Sequence, residues 1–290
     1  MIALCVHGGA GDRQRSPDDE HLLRALREAL DAGWAVLETG GSALDAVQVA
    51  IGTLEDEPLF NAGRGASLAL DGAVELDAAL MEGATERAGA VIGVQRVRNP
   101  IAAARAVLEH CPHVIMAGAG AERFAQEHGC DMVEPEFFIT ERARRALAHA
   151  LERRQQQYGT VGAVALDMRG VLAAGNSTGG TSGKLSGRVG DTPIIGAGTY
   201  ANQTVAVACT GEGEYFIRVG AALRLAMLVE CASYALEHAA TEVLQRVAQL
   251  GGRGGLIAID RNGAIAMPFN TTSMARAWRT SQGDYGCALW

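Results

Sequence analysis

Segments of helical period and segments of strand period lie in groups along this chain, and no other feature narrows its fold as much. A doubly wound parallel sheet needs strand and helix to alternate one for one. Here Leu22, Leu23, Leu26, Leu30, Trp34 and Leu37 recur on one helical face. Ser16 and Pro17 supply that helix with an N-cap and a first position, and Gly40 and Gly41 stop it. Ser42 caps a second helix that turns Leu44, Val47 and Ile51 inward. The period then falls to two over residues 66–81, with Asp71 and Gly72 marking a hairpin turn. A strand at 90–97, a helix from Pro100 to about His110, a strand at 113–116 and a helix at 121–127 follow. Thr140 caps a last helix of this half, which carries Ala143, Leu147 and Leu151 inward and runs towards Gln157.

The second half opens with paired strands at 160–167 and 171–178, then a glycine-rich loop at 179–193. Strands at 194–197 and 204–210, a long helix at 214–235, a helix at 241–250 and a hairpin over 255–269 complete it. Such grouping favours an α+β fold of stacked layers with antiparallel sheet. No linker rich in Pro or Ser divides the halves, so residues 1–290 read as a single domain.

Composition excludes several classes of function. The net charge is −8 and no basic stripe is visible, which argues against nucleic acid as a partner. No apolar run approaches the roughly 20 residues of a membrane helix, and residues 1–6 are too short for a signal core. A cytoplasmic location is the resulting expectation. The six cysteines, Cys5, Cys111, Cys130, Cys209, Cys231 and Cys287, show no metal or disulfide spacing and read as reduced thiols. The 37 glycines cluster where backbone must turn tightly or approach a ligand.

Three clusters carry chemistry. If Met168 and Arg169 centre the turn between the paired strands, Ser177 faces Thr160 and Thr178 faces Gly159. Two hydroxyls then meet, as a reactive pair or as an ordinary cross-strand contact. Arg188 and Asp191 stand three residues apart in the glycine-rich loop. An arginine fork grips a carboxylate and an aspartate an ammonium, so the two together fit the ends of a free amino acid. A plain loop salt bridge is the alternative. Thr210 and Gly211 lie between a strand and a helix, where backbone N–H groups and a hydroxyl can meet an oxyanion or merely cap the helix. His7 reads as a buried turn histidine.

The run from Gly159 to Asp167, then Ser177-Thr178-Gly179-Gly180, then Gly187-Arg188-Val189-Gly190-Asp191, then the run from Cys209 to Glu214 resembles the plant-type asparaginase / isoaspartyl peptidase family. His7 to Gly11, Leu59 to Gly63, Glu75 to Ala78 and Pro268 to Thr271 extend the resemblance over almost the whole chain. It implies an N-terminal-nucleophile hydrolase with a four-layer αββα sandwich. It implies self-cleavage between Gly159 and Thr160, giving an α chain of residues 1–159 and a β chain of residues 160–290. Thr160 would be the nucleophile, Thr178 would orient it and Asn61 would support it. Arg188 would hold the substrate α-carboxylate and Asp191 its α-amine. Thr210 and Gly211 would form the oxyanion hole, with Gly213 nearby. The substrates implied are asparagine and β-aspartyl dipeptides, and the assembly a homodimer of cleaved protomers. No cofactor is required. Backbone carbonyls of Leu54, Glu55, Glu57, Phe60, Ala62 and Arg64 resemble the family's loop for a structural sodium ion, a hard cation suited to oxygen ligands.

Two departures stand out. Thr272 occupies a position where many relatives carry glutamate, and the segment between the helix from Thr140 and Thr160 is short. The short segment leads us to expect slow or incomplete self-cleavage. Glycosylasparaginases, a related alternative, carry aspartate where this chain has Gly159. A glycine-loop protein that binds an amino acid without turnover is the non-enzyme alternative.

Overall fold

A computed structural model describes residues 1–153 and 159–290. The elements in chain order are β1 (Ala3–Gly11), α1 (Asp19–Glu38), α2 (Ala43–Asp56), β2 (Leu76–Glu82), β3 (Ala88–Val94), α3 (Pro100–His110), β4 (Ile115–Ala117), α4 (Gly118–Glu127) and α5 (Glu141–Arg153). Next come β5 (Val161–Leu166), β6 (Leu172–Thr178), β7 (Thr199–Ala201), β8 (Val205–Gly211), α6 (Gly213–Val219), α7 (Ala221–Glu230) and α8 (Leu236–Gln249). The chain closes with β9 (Gly254–Asp260), β10 (Ile265–Ala266), β11 (Ser273–Thr280) and β12 (Tyr285–Ala288).

The central strands are buried on both faces, and their alternation decides which layer each residue enters. In β1, Leu4 and Val6 join the core under α1 and α2, while Ala3 and Cys5 face the second sheet. In β5, Val161, Ala163 and Ala165 take the helical side, and Val164 and Leu166 the inter-sheet side. In β8, Val205, Val207 and Cys209 pack on α6 to α8, while Ala206 and Ala208 face the first sheet. Alanines at some inter-sheet positions (Ala3, Ala206, Ala208) pack in one cluster with larger residues at others (Leu166, Ile257, Ile259), which fills the space between the sheets. The result is the four-layer αββα sandwich implied by the resemblance. An eight-stranded sheet, ordered β12-β11-β1-β5-β6-β2-β3-β4, packs on a four-stranded sheet, ordered β10-β9-β8-β7. The larger sheet interleaves strands from before and after residue 160. Among the described residues no helix is long and apolar enough to cross a membrane.

Several expectations shift. The first helix starts at Asp19, and Ser16 does not cap it: its hydroxyl accepts from the Asp18 N–H at 3.3 Å and donates to the Asp19 carboxylate at 3.2 Å. Ser42 caps as expected, accepting from the Asp45 N–H at 3.0 Å. Thr140 does the same for the Ala143 N–H at 3.1 Å. That helix is described to Arg153, and its expected run to Gln157 lies outside the described residues. Asp71 and Gly72 do make a tight turn, closed by the Ala69 N–H donating to the Ala73 carbonyl at 2.9 Å, but its arms pair as strands only in the bridge Leu68–Val74, and Ala69 also bridges to Lys184. The expected helix over 214–235 breaks at Gly220, whose φ of +62° is left-handed. Residues 194–197 turn rather than extend, and β7 lies just beyond them. Strands β11 and β12 carry no hairpin signal that we read in the sequence, yet β11 flanks β1.

Candidate active site

The site begins with the β5–β6 hairpin. Asp167 shapes its turn: one carboxylate oxygen accepts from the Arg169 and Val171 N–H groups at 2.9 and 3.0 Å. The other accepts from Ala43 N–H at 3.1 Å, tying the turn to the start of α2. This turn holds one residue more than the expected centre at Met168 and Arg169. Val161 therefore pairs with Ser177, and continuing that register sets Thr160 opposite Thr178. The expected pairing of Thr160 with Ser177 is corrected by one position. A one-residue slip sends a side chain to the opposite face, and the buried Ser177 hydroxyl lies beside the Glu55 carboxyl.

Thr160 is 5% exposed, and its hydroxyl donates to Thr178 Oγ1 at 3.2 Å. Thr178 Oγ1 in turn donates to the Gly159 carbonyl at 2.9 Å and accepts from the Gly180 N–H at 3.0 Å. Asn61 Nδ2 donates to the same Gly159 carbonyl at 2.8 Å and to the Gly180 carbonyl at 2.6 Å. Its Oδ1 accepts from the Ser67 N–H at 2.6 Å, which fixes the amide's orientation. The carbonyl that precedes Thr160 thus receives two hydrogen bonds. The nucleophile candidate stands hydrogen-bonded to one of their donors. Gly9, at φ +106°, brings β1 so close that a Cβ there would stand 3.3 Å from the Gly159 Cα.

His7 is not a turn residue. It lies within β1, fully buried, with Nδ1 3.1 Å from the Thr160 carbonyl and Nε2 3.1 Å from Asn176 Oδ1. Burial pushes its pKa down to about 4 against hydrogen bonds that favour the charged ring, so near neutral pH the ring is uncharged, fills the space between the two oxygens and donates to one of them. Asn176 continues this link to the Gly198 carbonyl and Thr199 Oγ1, both at 2.8 Å.

The charged residues line the other side. Arg188 meets Glu214 through Nε and Nη2 at 2.9 and 3.0 Å, and the Glu214 side chain is 57% exposed. Asp191 is buried behind it. A Cβ on Gly198 or Gly213 would stand 2.9 or 2.8 Å from its carboxylate oxygens, so backbone walls it on both sides. Among the described residues its Oδ2 has no partner, and burial pushes its pKa up to about 7 despite the nearby charge of Arg188. Gly159, Thr160, Thr178, Arg188, Asp191 and Gly211 line one cavity of about 10 Å³, room for roughly one water. Thr210 is buried behind it and accepts from the Ala10 N–H at 3.3 Å, which leaves its own proton available for donation. Gly213 supports Asp191 rather than lining the cavity. Gly180 and Gly190, which belong to the two glycine motifs, also line it, as do Thr181 and Thr192, which no motif names. Their one sequence signal is that they flank Thr178, Arg188 and Asp191.

A model of the family described as asparaginase matches residues 1–288. The chain belongs to the asparaginase family. This asparaginase-family chain is 48% identical to the isoaspartyl peptidase of Escherichia coli K12, over 95% of its own length and 92% of that protein. It is likewise 48% identical to the isoaspartyl peptidase of Salmonella typhimurium, over 95% and 94%. It is 41% identical to the plant-type L-asparaginase of Pyrococcus furiosus, over 96% of both chains.

In this asparaginase-family chain the loop over residues 54–64 closes on itself. The Leu54, Glu55 and Glu57 carbonyls accept from the N–H groups of Glu57, Arg64 and Phe60 at 3.3, 2.7 and 3.2 Å. Each of these carbonyls keeps a second lone pair. The loop carries Asn61. Among the described residues no group of His, Cys, Asp and Glu could hold a metal ion.

Proposed function

We propose that this chain is the precursor of a threonine amidohydrolase that cuts itself before Thr160 and then hydrolyses L-asparagine and β-aspartyl dipeptides. The observation that carries the reading is the doubly hydrogen-bonded Gly159 carbonyl beside the Thr160 hydroxyl. The printed names of the relatives, isoaspartyl peptidase and L-asparaginase, support it.

The geometry supplies a route for the first reaction. Thr160 Oγ1 attacks the Gly159 carbonyl carbon. Its proton passes to Thr178 Oγ1, and the Thr178 proton passes to the Gly159 oxygen, along hydrogen bonds of 3.2 and 2.9 Å. Asn61 stabilises the developing oxyanion. The C–N bond then breaks as the Gly159 hydroxyl gives its proton to the Thr160 nitrogen and re-forms a carbonyl, and an ester remains, which water hydrolyses to a Gly159 carboxylate, a free Thr160 hydroxyl and a free Thr160 amine. With an ordinary pKa of about 7.7–8.0 that amine is partly neutral near pH 7 and can deprotonate the Thr160 hydroxyl.

In the second reaction Arg188 holds the substrate α-carboxylate and Asp191 the α-ammonium. The unpartnered, buried Asp191 oxygen favours this assignment, because a buried charge needs a partner. Thr160 attacks the side-chain amide, Thr210 and Gly211 stabilise the oxyanion, and ammonia or an amino acid leaves with the proton held by the Thr160 amine. Water then frees aspartate. A cavity of about 10 Å³ admits no substrate, since ligand pockets run to roughly 300–1,000 Å³. Departure of the Gly159 end is what opens it.

We extend the proposal to the remaining expectations. The chain forms one domain cut into residues 1–159 and 160–290, assembles as a homodimer and works in the cytoplasm without a catalytic cofactor. A sodium ion on the carbonyls of Leu54, Glu55, Glu57, Phe60, Ala62 and Arg64 would stiffen the loop that aims Asn61. The test is intact mass of purified protein with ammonia release from L-asparagine. Two fragments divided at Gly159–Thr160 and turnover are expected. An intact, inactive chain would favour the amino-acid-binding alternative.

A further inference from the structure

Lys184 is the only lysine in the chain, and it is 2% exposed. Its Nζ donates to the Glu75 carbonyl at 3.0 Å and lies 3.5 Å from a Glu75 carboxylate oxygen. Asp77, 1% exposed and opposite Thr178 in the β2–β6 register, feels the same positive charge. The Glu75 carboxylate also accepts from the Gly187 N–H at 2.9 and 3.1 Å, one residue before Arg188. A Cβ on Gly180 would stand 3.1 Å from Lys184 Nζ and 3.3 Å from Arg188 Nη1. One glycine therefore separates the ammonium from the guanidinium. The mechanism above uses neither Lys184 nor Glu75.

A buried ion pair is a weak device for stability alone, because packed apolar side chains of similar volume often serve as well. It is effective where it fixes the geometry of a neighbouring charge. Here both partners grip the segment that carries Arg188: Glu75 from the Gly187 N–H, and Lys184 as part of the segment itself. The Lys184 backbone is held too, its carbonyl accepting from the Leu70 N–H at 2.7 Å.

We propose that Lys184, clamped to Glu75, is a positioning residue that aims the Arg188 fork at the substrate α-carboxylate. The proposal rests on the amidohydrolase reading. It predicts a split between the two reactions of the site. Self-cleavage acts on the Gly159 carbonyl, held by Asn61 and Thr178, and has no α-carboxylate to bind. Substrate hydrolysis has one.

The experiment compares wild type, Lys184→Met, Glu75→Gln and the double variant. Each is measured for self-cleavage by intact mass and for kcat and KM on L-asparagine and a β-aspartyl dipeptide. Lys184→Met keeps the stem and loses the charge. Full self-cleavage is expected, with kcat within about threefold and KM raised about tenfold or more, the signature of lost uniform binding. Glu75→Gln keeps an acceptor for Gly187 and should raise KM about threefold. The double variant should fall well short of the product of the two effects, because the residues act as a unit. Unchanged KM in both single variants, a loss carried by kcat instead, or additive effects overturns the assignment. If Lys184→Met does not fold, Glu75→Gln decides alone, and an unchanged KM overturns it. Wild-type protein that leaves both substrates intact overturns the amidohydrolase reading instead.

Discussion

On one side of the cavity, Thr160, Thr178, Asn61 and the Gly159 carbonyl are joined by hydrogen bonds of 2.8–3.2 Å, and none of them carries a charge. On the other side, Asp191 buries a carboxylate oxygen that has no partner among the described residues, and Arg188 meets the exposed Glu214. The first side is satisfied within the intact chain, each of these donors meeting an acceptor. The second side pairs Arg188 with Glu214 but leaves Asp191 buried, and an unpaired buried carboxylate opposes folding. One cavity thus holds an arrangement that folding completes and another that only a ligand completes. Binding sites commonly trade stability for function in this way.

The comparison breaks most severely at Thr160. Thr160→Ala should remain a single chain by intact mass with no measurable amidase activity, whereas Thr160→Ser should still cleave because it keeps the hydroxyl. Fragments from the alanine variant would remove Thr160 from the site. Thr178→Val deletes both the bond to Thr160 and the bond to Gly159. We expect self-cleavage and turnover each to slow about 10²–10³-fold, as for loss of one oxyanion donor. A variant that cleaves at the normal rate would refute the relay.

Asp191 sharpens the contrast through stability. Burial raises its carboxyl from 3.8 to about 7. The folded state therefore binds that proton more tightly than the unfolded state. Its contribution favours folding below pH 3.8 and is lost as pH rises through about 7. Asp191→Asn, placed on Thr160→Ala so that both proteins stay single chains, should gain about 2–4 kcal/mol at pH 8. The gain should shrink as pH falls to 5, while the same change in the active background loses asparagine turnover. Equal denaturation midpoints at pH 8 would show that Asp191 is already paired.

Smaller effects are expected at Arg188. Arg188→Lys keeps the charge and loses the fork, so kcat/KM should fall about tenfold or more with self-cleavage unchanged. Glu214→Gln frees the fork from an exposed competitor worth about 1 kcal/mol or less. KM for L-asparagine should fall by no more than a few-fold, and a tenfold rise would instead make Glu214 part of the substrate grip.

The amino-acid sequence by itself determined the chemistry and the local elements. Period-two runs gave β5 and β6, a serine capped α2 and a threonine capped α5, because these signals act within a few residues. Motif identity singled out Thr160, Thr178, Arg188 and Asp191, since a nucleophile, a fork and a carboxylate are properties of residue type. Tertiary structure decided the rest. The hairpin register depends on how Asp167 folds its turn and docks on α2, and that one-residue difference selects Thr178 over Ser177 as partner to Thr160. Gly220 breaks a helix that periodicity would continue, because the chain there turns left-handed to lay α7 against β8. His7 became a strut, and Asn61 a ligand of the Gly159 carbonyl 98 residues away, only when β1 and the loop over residues 54–64 were packed beside β5. Hydrogen bonds between segments so distant leave no periodic trace along the chain. Their geometry is set by sheet order and packing, which no local pattern encodes.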